Sequence, residues 1–204
     1  MSGSDARAAR PPVLGLTGGI GAGKSEALAA LARLGACTLS TDAVVHELYS
    51  DNEMREAVVA RWGDAVAPDG VVDRAAVAAR AFADPQERAW LEGELWPLVG
   101  ARIAAWREAE VARNPAPPAL VVEVPLLFEA GMETAFDATI AVVADEAERA
   151  RRARARGHEG LDERTSRQLS QDEKASRATW VVANSGTLAE LEAELSGVLA
   201  KLAK

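Results

Sequence analysis

Val13-Leu14-Gly15-Leu16-Thr17-Gly18-Gly19-Ile20-Gly21-Ala22-Gly23-Lys24-Ser25 decides the architecture of this chain. Its first five residues form a short apolar run of the kind buried on both faces of a parallel sheet. The last eight fit G-x-x-x-x-G-K-[ST] without a mismatch. With glycine at about 7% of residues, a random chain of this length carries that pattern roughly once in a hundred tries. A strand ahead of it and a helix over Lys24–Leu34 behind it sharpen the signal. The spacing has a physical cause. Glycines let successive backbone N–H groups turn inward at a helix N-terminus, where the helix dipole also favours negative charge. Lys24 then reaches phosphate as a point charge, and the Ser25 hydroxyl can take Mg²⁺. The motif implies bound ATP and Mg²⁺.

Working outward, four more apolar runs follow: Cys37–Thr41, Leu120–Val124, Thr139–Ala144 and Trp180–Ala183. Helical segments separate them, Glu146–Arg156 after the fourth strand and Thr187–Leu202 after the fifth. Asp145 with Glu148, and Thr187 with Glu190, have capping-box spacing. The alternation predicts an α/β P-loop fold, a five-stranded parallel sheet with helices on both faces. Residues 43–118 contain no convincing strand and read as a helical insertion that binds substrate. Pro68-Asp69-Gly70 marks a turn in it, Pro85 opens a further helix, and Asn114 to Pro118 forms a stiff return. The core is then 11–42 with 119–204, a lid lies at about 152–175, and residues 1–10 form a disordered tail.

Composition narrows the function. The net charge of -8 argues against nucleic acid as a partner. No stretch has the apolar length of a membrane span, and the start lacks the basic-then-apolar order of a signal peptide. A single cysteine, Cys37, excludes an internal disulfide and fits a cytoplasmic setting. No oligomeric state is assigned. GTPases usually carry an Asn-Lys-x-Asp segment, which is missing here, and large ATPases need more chain. A small kinase remains. Five arginines fall within residues 149–156, which reads either as a solvated helix face or as a phosphate lid. Asp42, after the second strand, is the carboxylate that chain order puts near an acceptor, or else a helix N-cap. Glu123 suits either a Mg²⁺-orienting acid or a surface position. His46 and His158 have no metal-ligand partners in sequence, and Trp62, Trp90, Trp96 and Trp106 read as packing for the insertion.

Together these residues resemble the dephospho-coenzyme A kinases. The resemblance rests on Leu16 to Ser25, Leu34-Gly35, Asp42, Asp69-Gly70, Arg74, Phe82, Leu95 with Pro97, and Pro125-Leu126-Leu127-Phe128-Glu129. Arg152, Arg156, Arg164, Gln168, Lys174 and Asn184-Ser185-Gly186 continue it in the family's order. It implies transfer of the γ-phosphoryl of ATP to the ribose 3′-hydroxyl of dephospho-coenzyme A. Asp42, Lys24 and Arg156 would be catalytic. Gly18, Gly19, Gly21, Ala22, Gly23, Lys24, Ser25, Glu26, Arg152 and Asn184 would hold nucleotide, with Ser25 on the metal. Asp42, Arg74, Glu129 and Arg164 would hold the acceptor. Ser40, His46, Trp96, Thr179 and Glu26 depart from the family pattern. A kinase for another small hydroxyl acceptor, and a nucleotide-binding module without transfer chemistry, are the alternatives.

Overall fold

The computed structural model describes residues 10–155 and 168–202. The expected tail over residues 1–9, and Arg156, His158 and Arg164 of the expected lid, lie outside the described residues. In chain order the elements are β1 (Val13–Gly18), α1 (Lys24–Arg33), β2 (Cys37–Ser40), α2 (Thr41–Leu48), α3 (Asn52–Trp62), α4 (Arg74–Ala83), α5 (Pro85–Val111), β3 (Leu120–Glu123), β4 (Ala138–Val143), α6 (Glu146–Ala155), α7 (Gln171–Arg177), β5 (Trp180–Ala183) and α8 (Leu188–Leu202). The chain divides into two compact units. One runs up to Leu39 and resumes at Ala109, and the other is Ser40–Glu108.

The first unit carries the expected five-stranded parallel sheet, in the order β2-β3-β1-β4-β5. Leu14 pairs with Val121 on one side and with Ala138 on the other. Strands with water on neither face must be apolar throughout, and all six residues of β1 are buried. Leu14, Leu16, Val121, Ile140, Val142 and Val182 pack with Ala27, Ala30 and Leu31 of α1 and Leu191, Leu195 and Val198 of α8. Each fully buried leucine there contributes about 1.5–3 kcal/mol relative to exposure. The opposite face meets α7. At the amino end of β5 two threonines lock reciprocally. The Thr139 amide donates to Thr179 Oγ1, and the Thr179 amide donates to Thr139 Oγ1, both at 3.0 Å. Arg10 reaches Asp137 at 2.8 Å.

Two local expectations change. Strand β2 ends at Ser40, and Thr41 already belongs to α2. Asp42 therefore sits in the first turn of α2 and is not its N-cap, because cap-type residues at 40 and 41 start the helix earlier. Glu148 does not fold back on Asp145. Its oxygens accept from Arg151 Nη2 at 2.8 Å and approach Arg152 Nε at 3.6 Å. Cations one turn further along outcompete the cap and hold the Glu148 carboxyl below its usual range, Arg151 more than Arg152. The second box does form. The Thr187 amide donates to Glu190 Oε2 at 2.7 Å, and the Glu190 amide donates to Thr187 Oγ1 at 3.3 Å.

The second unit is helical. Asp73 caps α4 by accepting from the Ala75 and Ala76 amides. Pro85 at the start of α5 follows Asp84, which accepts from the Gln86 amide at 2.7 Å. Val44, Leu48, Met54, Val58, Val77, Leu91 and Leu95 are buried. The tryptophans are not the centre of this packing. None is fully buried, and Trp96 is 60% exposed. Trp62 and Trp90 meet edge to face at 5.0 Å instead, beside Glu87, which accepts from Trp62 Nε1 at 2.7 Å and from Arg61 Nη2 at 2.8 Å.

Candidate active site

The loop from Gly18 to Ser25 joins β1 to α1 in the first unit. Turn bonds hold it: the Ala22 amide donates to the Gly19 carbonyl at 3.2 Å, and the Ala27 amide donates to Gly23 at 3.0 Å. No side chain caps α1, so no capping group competes with an anion for its leading amides. Lys24 Nζ folds back to donate to the carbonyls of Gly18 and Gly19 at 3.0 and 3.2 Å. Ser25 is exposed in the first turn.

Two glycines are indispensable here. Gly21 has φ 75, and a methyl on it would collide with the Arg149 backbone carbonyl. Gly23 has φ 89, and a methyl there would overlap Asn184 Nδ2 and lie 3.4 Å from Arg152 Nη1. Both need the left-handed region that side chains disfavour. Their bareness lets α6 and the exit of β5 press directly on the loop.

The neighbours pressed against it are polar. Asn184 follows β5, is 6% exposed, and donates through Nδ2 to the Ala22 carbonyl at 2.9 Å. Arg149 Nε donates to the Ile20 carbonyl at 3.1 Å, and its Nη1 pairs with Glu146. Arg152 lies on the same face of α6, three residues on. Its Nη1 is buried and has no hydrogen-bond partner among the described residues. Such a donor costs stability unless something fills it. The cradle, the uncapped helix start and this orphaned cation fit a nucleotide triphosphate. The exposed Ser25 hydroxyl in the first turn of α1, a hard oxygen donor, fits Mg²⁺ held mainly by phosphate and water. Glu26 instead pairs its carboxylate with Arg33 at 3.1 Å.

Glu123, at the end of β3 opposite Leu16, is only 6% exposed, so the surface reading fails. Glu129 carries a second, largely enclosed carboxylate, its side chain 12% exposed. Its Oε1 accepts from the Leu169 amide at 2.8 Å and pairs with Lys174 Nζ at 2.9 Å. Lys174 of α7 is fully buried and also donates to the Pro125 carbonyl at 2.7 Å. Burial pushes the Lys174 ammonium below its ordinary value, and Glu129 only partly opposes that. Sequence reasoning left Lys174 and Arg149 out of the site. The available signals were the place of Lys174 in the resemblance and the position of Arg149, a helical turn before Arg152.

In the second unit Asp42 is exposed in the first turn of α2. His46 lies one turn along the same face. Arg74 Nη1 donates to His46 Nδ1 at 2.6 Å.

The chain is similar over most of its length to proteins of one family. The sequence profile of the dephospho-CoA kinase family matches residues 12–190. A dephospho-CoA kinase of Deinococcus radiodurans is 40% identical over 195 residues, which cover 94% of this chain and 93% of that one. One from Symbiobacterium thermophilum is 38% identical over 188 residues, covering 90% and 78%. A Thermus thermophilus protein of known crystal structure superposes with a TM-score of 0.77 at 35% identity, covering 95% of this chain and 98% of that one.

Proposed function

Because the chain belongs to the dephospho-CoA kinase family, we propose that it transfers the γ-phosphoryl of ATP to the ribose 3′-hydroxyl of dephospho-coenzyme A. The observation that carries the reading is the anion cradle: a bare glycine loop, an uncapped α1, and a buried arginine donor left unmatched beside Gly23. In the reaction the 3′-oxygen bonds to the γ-phosphorus, the bond from that phosphorus to the β,γ-bridging oxygen breaks, and ADP leaves. The hydroxyl proton passes to Asp42. The transition state spreads negative charge over the phosphoryl oxygens, so positioned cations supply most of the rate gain. Lys24 turns from its loop carbonyls to the phosphates, and Arg152 Nη1 gains its missing acceptor. The Ser25 hydroxyl would hold Mg²⁺, whose chemistry would be to neutralise phosphate charge. Arg156 and Arg164 are assigned to the lid over the transferring group, and Glu129 to the acceptor side through its contact with Lys174. The half-buried free thiol of Cys37 supports a cytoplasmic setting.

A coupled ADP-release assay with and without dephospho-CoA tests the reading. Mg²⁺-dependent ADP release should require the acceptor. Asp42→Asn should cut turnover by about 10²–10⁴-fold with ATP binding retained. Near-normal turnover in that variant removes Asp42 from the role of base.

A further inference from the structure

The nucleotide loop is gripped through its carbonyl groups. Lys24 Nζ takes those of Gly18 and Gly19, Arg149 Nε takes that of Ile20 at 3.1 Å, and Asn184 Nδ2 takes that of Ala22 at 2.9 Å. A trans peptide is planar, with its C=O and the following N–H pointing in opposite directions. Holding the Ile20 carbonyl against α6 therefore turns the Gly21 amide away from α6. Holding the Ala22 carbonyl against the exit of β5 does the same for the Gly23 amide. Neither amide has a hydrogen-bond partner among the described residues. Once Lys24 leaves its carbonyls for phosphate, Arg149 and Asn184 are the side chains that still hold these two peptides.

Arg149 is locked in that posture. Its Nη1 pairs with Glu146 at 2.7 Å, and its side chain is only 21% exposed although α6 lies on the surface. A methyl on Gly19 would meet Nη2, Cζ and Nε at 3.1 to 3.5 Å, so the guanidinium lies broadside over that residue. The Arg149 carbonyl stands where a methyl on Gly21 would go. One residue of α6 thus bears on Gly19, Ile20 and Gly21 in turn. A cation placed there only for solubility would extend into water.

We propose that Arg149 is a positioning residue for the nucleotide, one that aims the Gly21 amide at phosphate by restraining the Ile20 carbonyl, a role that rests on the nucleotide reading above. Asn184 does the same for the Gly23 amide. Arg152 is different, because its buried Nη1 has no acceptor and is left to meet the ligand itself. Two arginines a turn apart divide the work: one shapes the loop and the other offers a donor.

Proton–nitrogen correlation spectra of the ¹⁵N-labelled full chain test this, with saturating ADP and no acceptor. In the wild type the Gly21 and Gly23 amide protons should both move downfield, as donors to an anion do. Arg149→Met should shrink the Gly21 displacement by at least about half and leave that of Gly23 in place, and Asn184→Ala should do the reverse. A loss of stability alone, or of positive charge alone, would weaken both glycines together. In steady state Arg149→Met should raise KM for ATP about tenfold while KM for dephospho-CoA moves less than about twofold. Arg149→Lys keeps a donor for the Ile20 carbonyl and should recover part of both effects. It carries the test if the methionine variant does not fold, with a Gly21 displacement smaller than wild type and that of Gly23 unchanged. An intact Gly21 displacement in Arg149→Met, or an equal loss at Gly21 and Gly23, overturns the role of Arg149 and leaves the nucleotide site standing. Wild-type protein in which neither glycine moves with ADP sinks the nucleotide reading and the role of Arg149 together.

Discussion

Asn184 and Ala22, 162 positions apart in sequence, are joined by a buried hydrogen bond of 2.9 Å from the side-chain amide to the loop carbonyl. The bond ties the end of β5 to the middle of the nucleotide loop. Asn184→Ala should leave that carbonyl unmatched, at a cost of about 1–3 kcal/mol, and raise the Kd for ATP. Asn184→Asp should be worse, because a carboxylate cannot donate and repels phosphate. Calorimetric titration of ATP into both variants checks the order, and equal affinities would remove the tether from nucleotide binding.

Glycine substitutions should separate by position. Gly21→Ala forces φ 75 on a side chain and drives its methyl into the Arg149 carbonyl, so stability should fall by at least about 1–2 kcal/mol. Gly93 lies within α5 with nothing inside 4 Å of an added methyl. Gly93→Ala should instead stabilise by about 0.5–1 kcal/mol. Urea denaturation of the two variants reads both signs.

Arg152→Met removes an unmatched buried donor and only a long 3.6 Å contact with Glu148. The protein without nucleotide should be as stable as wild type or more so, while ATP turnover falls tenfold or more. A thermal melt beside a turnover assay checks this; loss of stability with full activity would mean that Arg152 is structural.

Lys174→Met strands the Glu129 carboxylate in a nearly dry site and should cost about 3–5 kcal/mol. Lys174→Met with Glu129→Leu should cost less than Lys174→Met alone, since the double variant leaves no orphaned charge. A double-mutant cycle by denaturation reads the coupling, and simple additivity would show that the two side chains act independently.

Acid should loosen the second unit through Glu87. Arg61 first, then Trp62, hold its carboxyl below the ordinary 4.5. A depressed carboxyl stabilises the fold fully above the unfolded value and loses that contribution as pH falls through the folded one. Glu87→Gln should therefore lower stability at pH 7, and the gap from wild type should close below about pH 4. Fluorescence of Trp62 and Trp90 during denaturation follows it.

The sheet was legible because buried parallel strands are apolar throughout, and Trp180–Ala183 was bounded as the structure has it. The Gly18 to Ser25 loop was legible because backbone approach to a phosphate restricts residue type at fixed spacing. The pairing of Lys174 with Glu129 was not, although each was picked out singly. Their burial depends on each other across 45 residues, and local pattern carries no sign of a distant partner. Glu148 misled for a local reason, with cap and cations competing within one turn. The helix-cap alternative for Asp42 failed because Ser40 and Thr41 are also helix starters.

The threonine pair at the opposite end of β5 has a bearing on chemistry it never touches. Of the four residues in this edge strand only Val182 is buried, a weak hold against slippage. Sliding by a single residue would turn Val182 to solvent and carry Asn184 some 3.3 Å along the strand, about the length of the bond it makes to Ala22. Thr139 and Thr179 thus act as an index pin: by fixing where the last strand starts, they set where the amide that braces the phosphate cradle comes to rest.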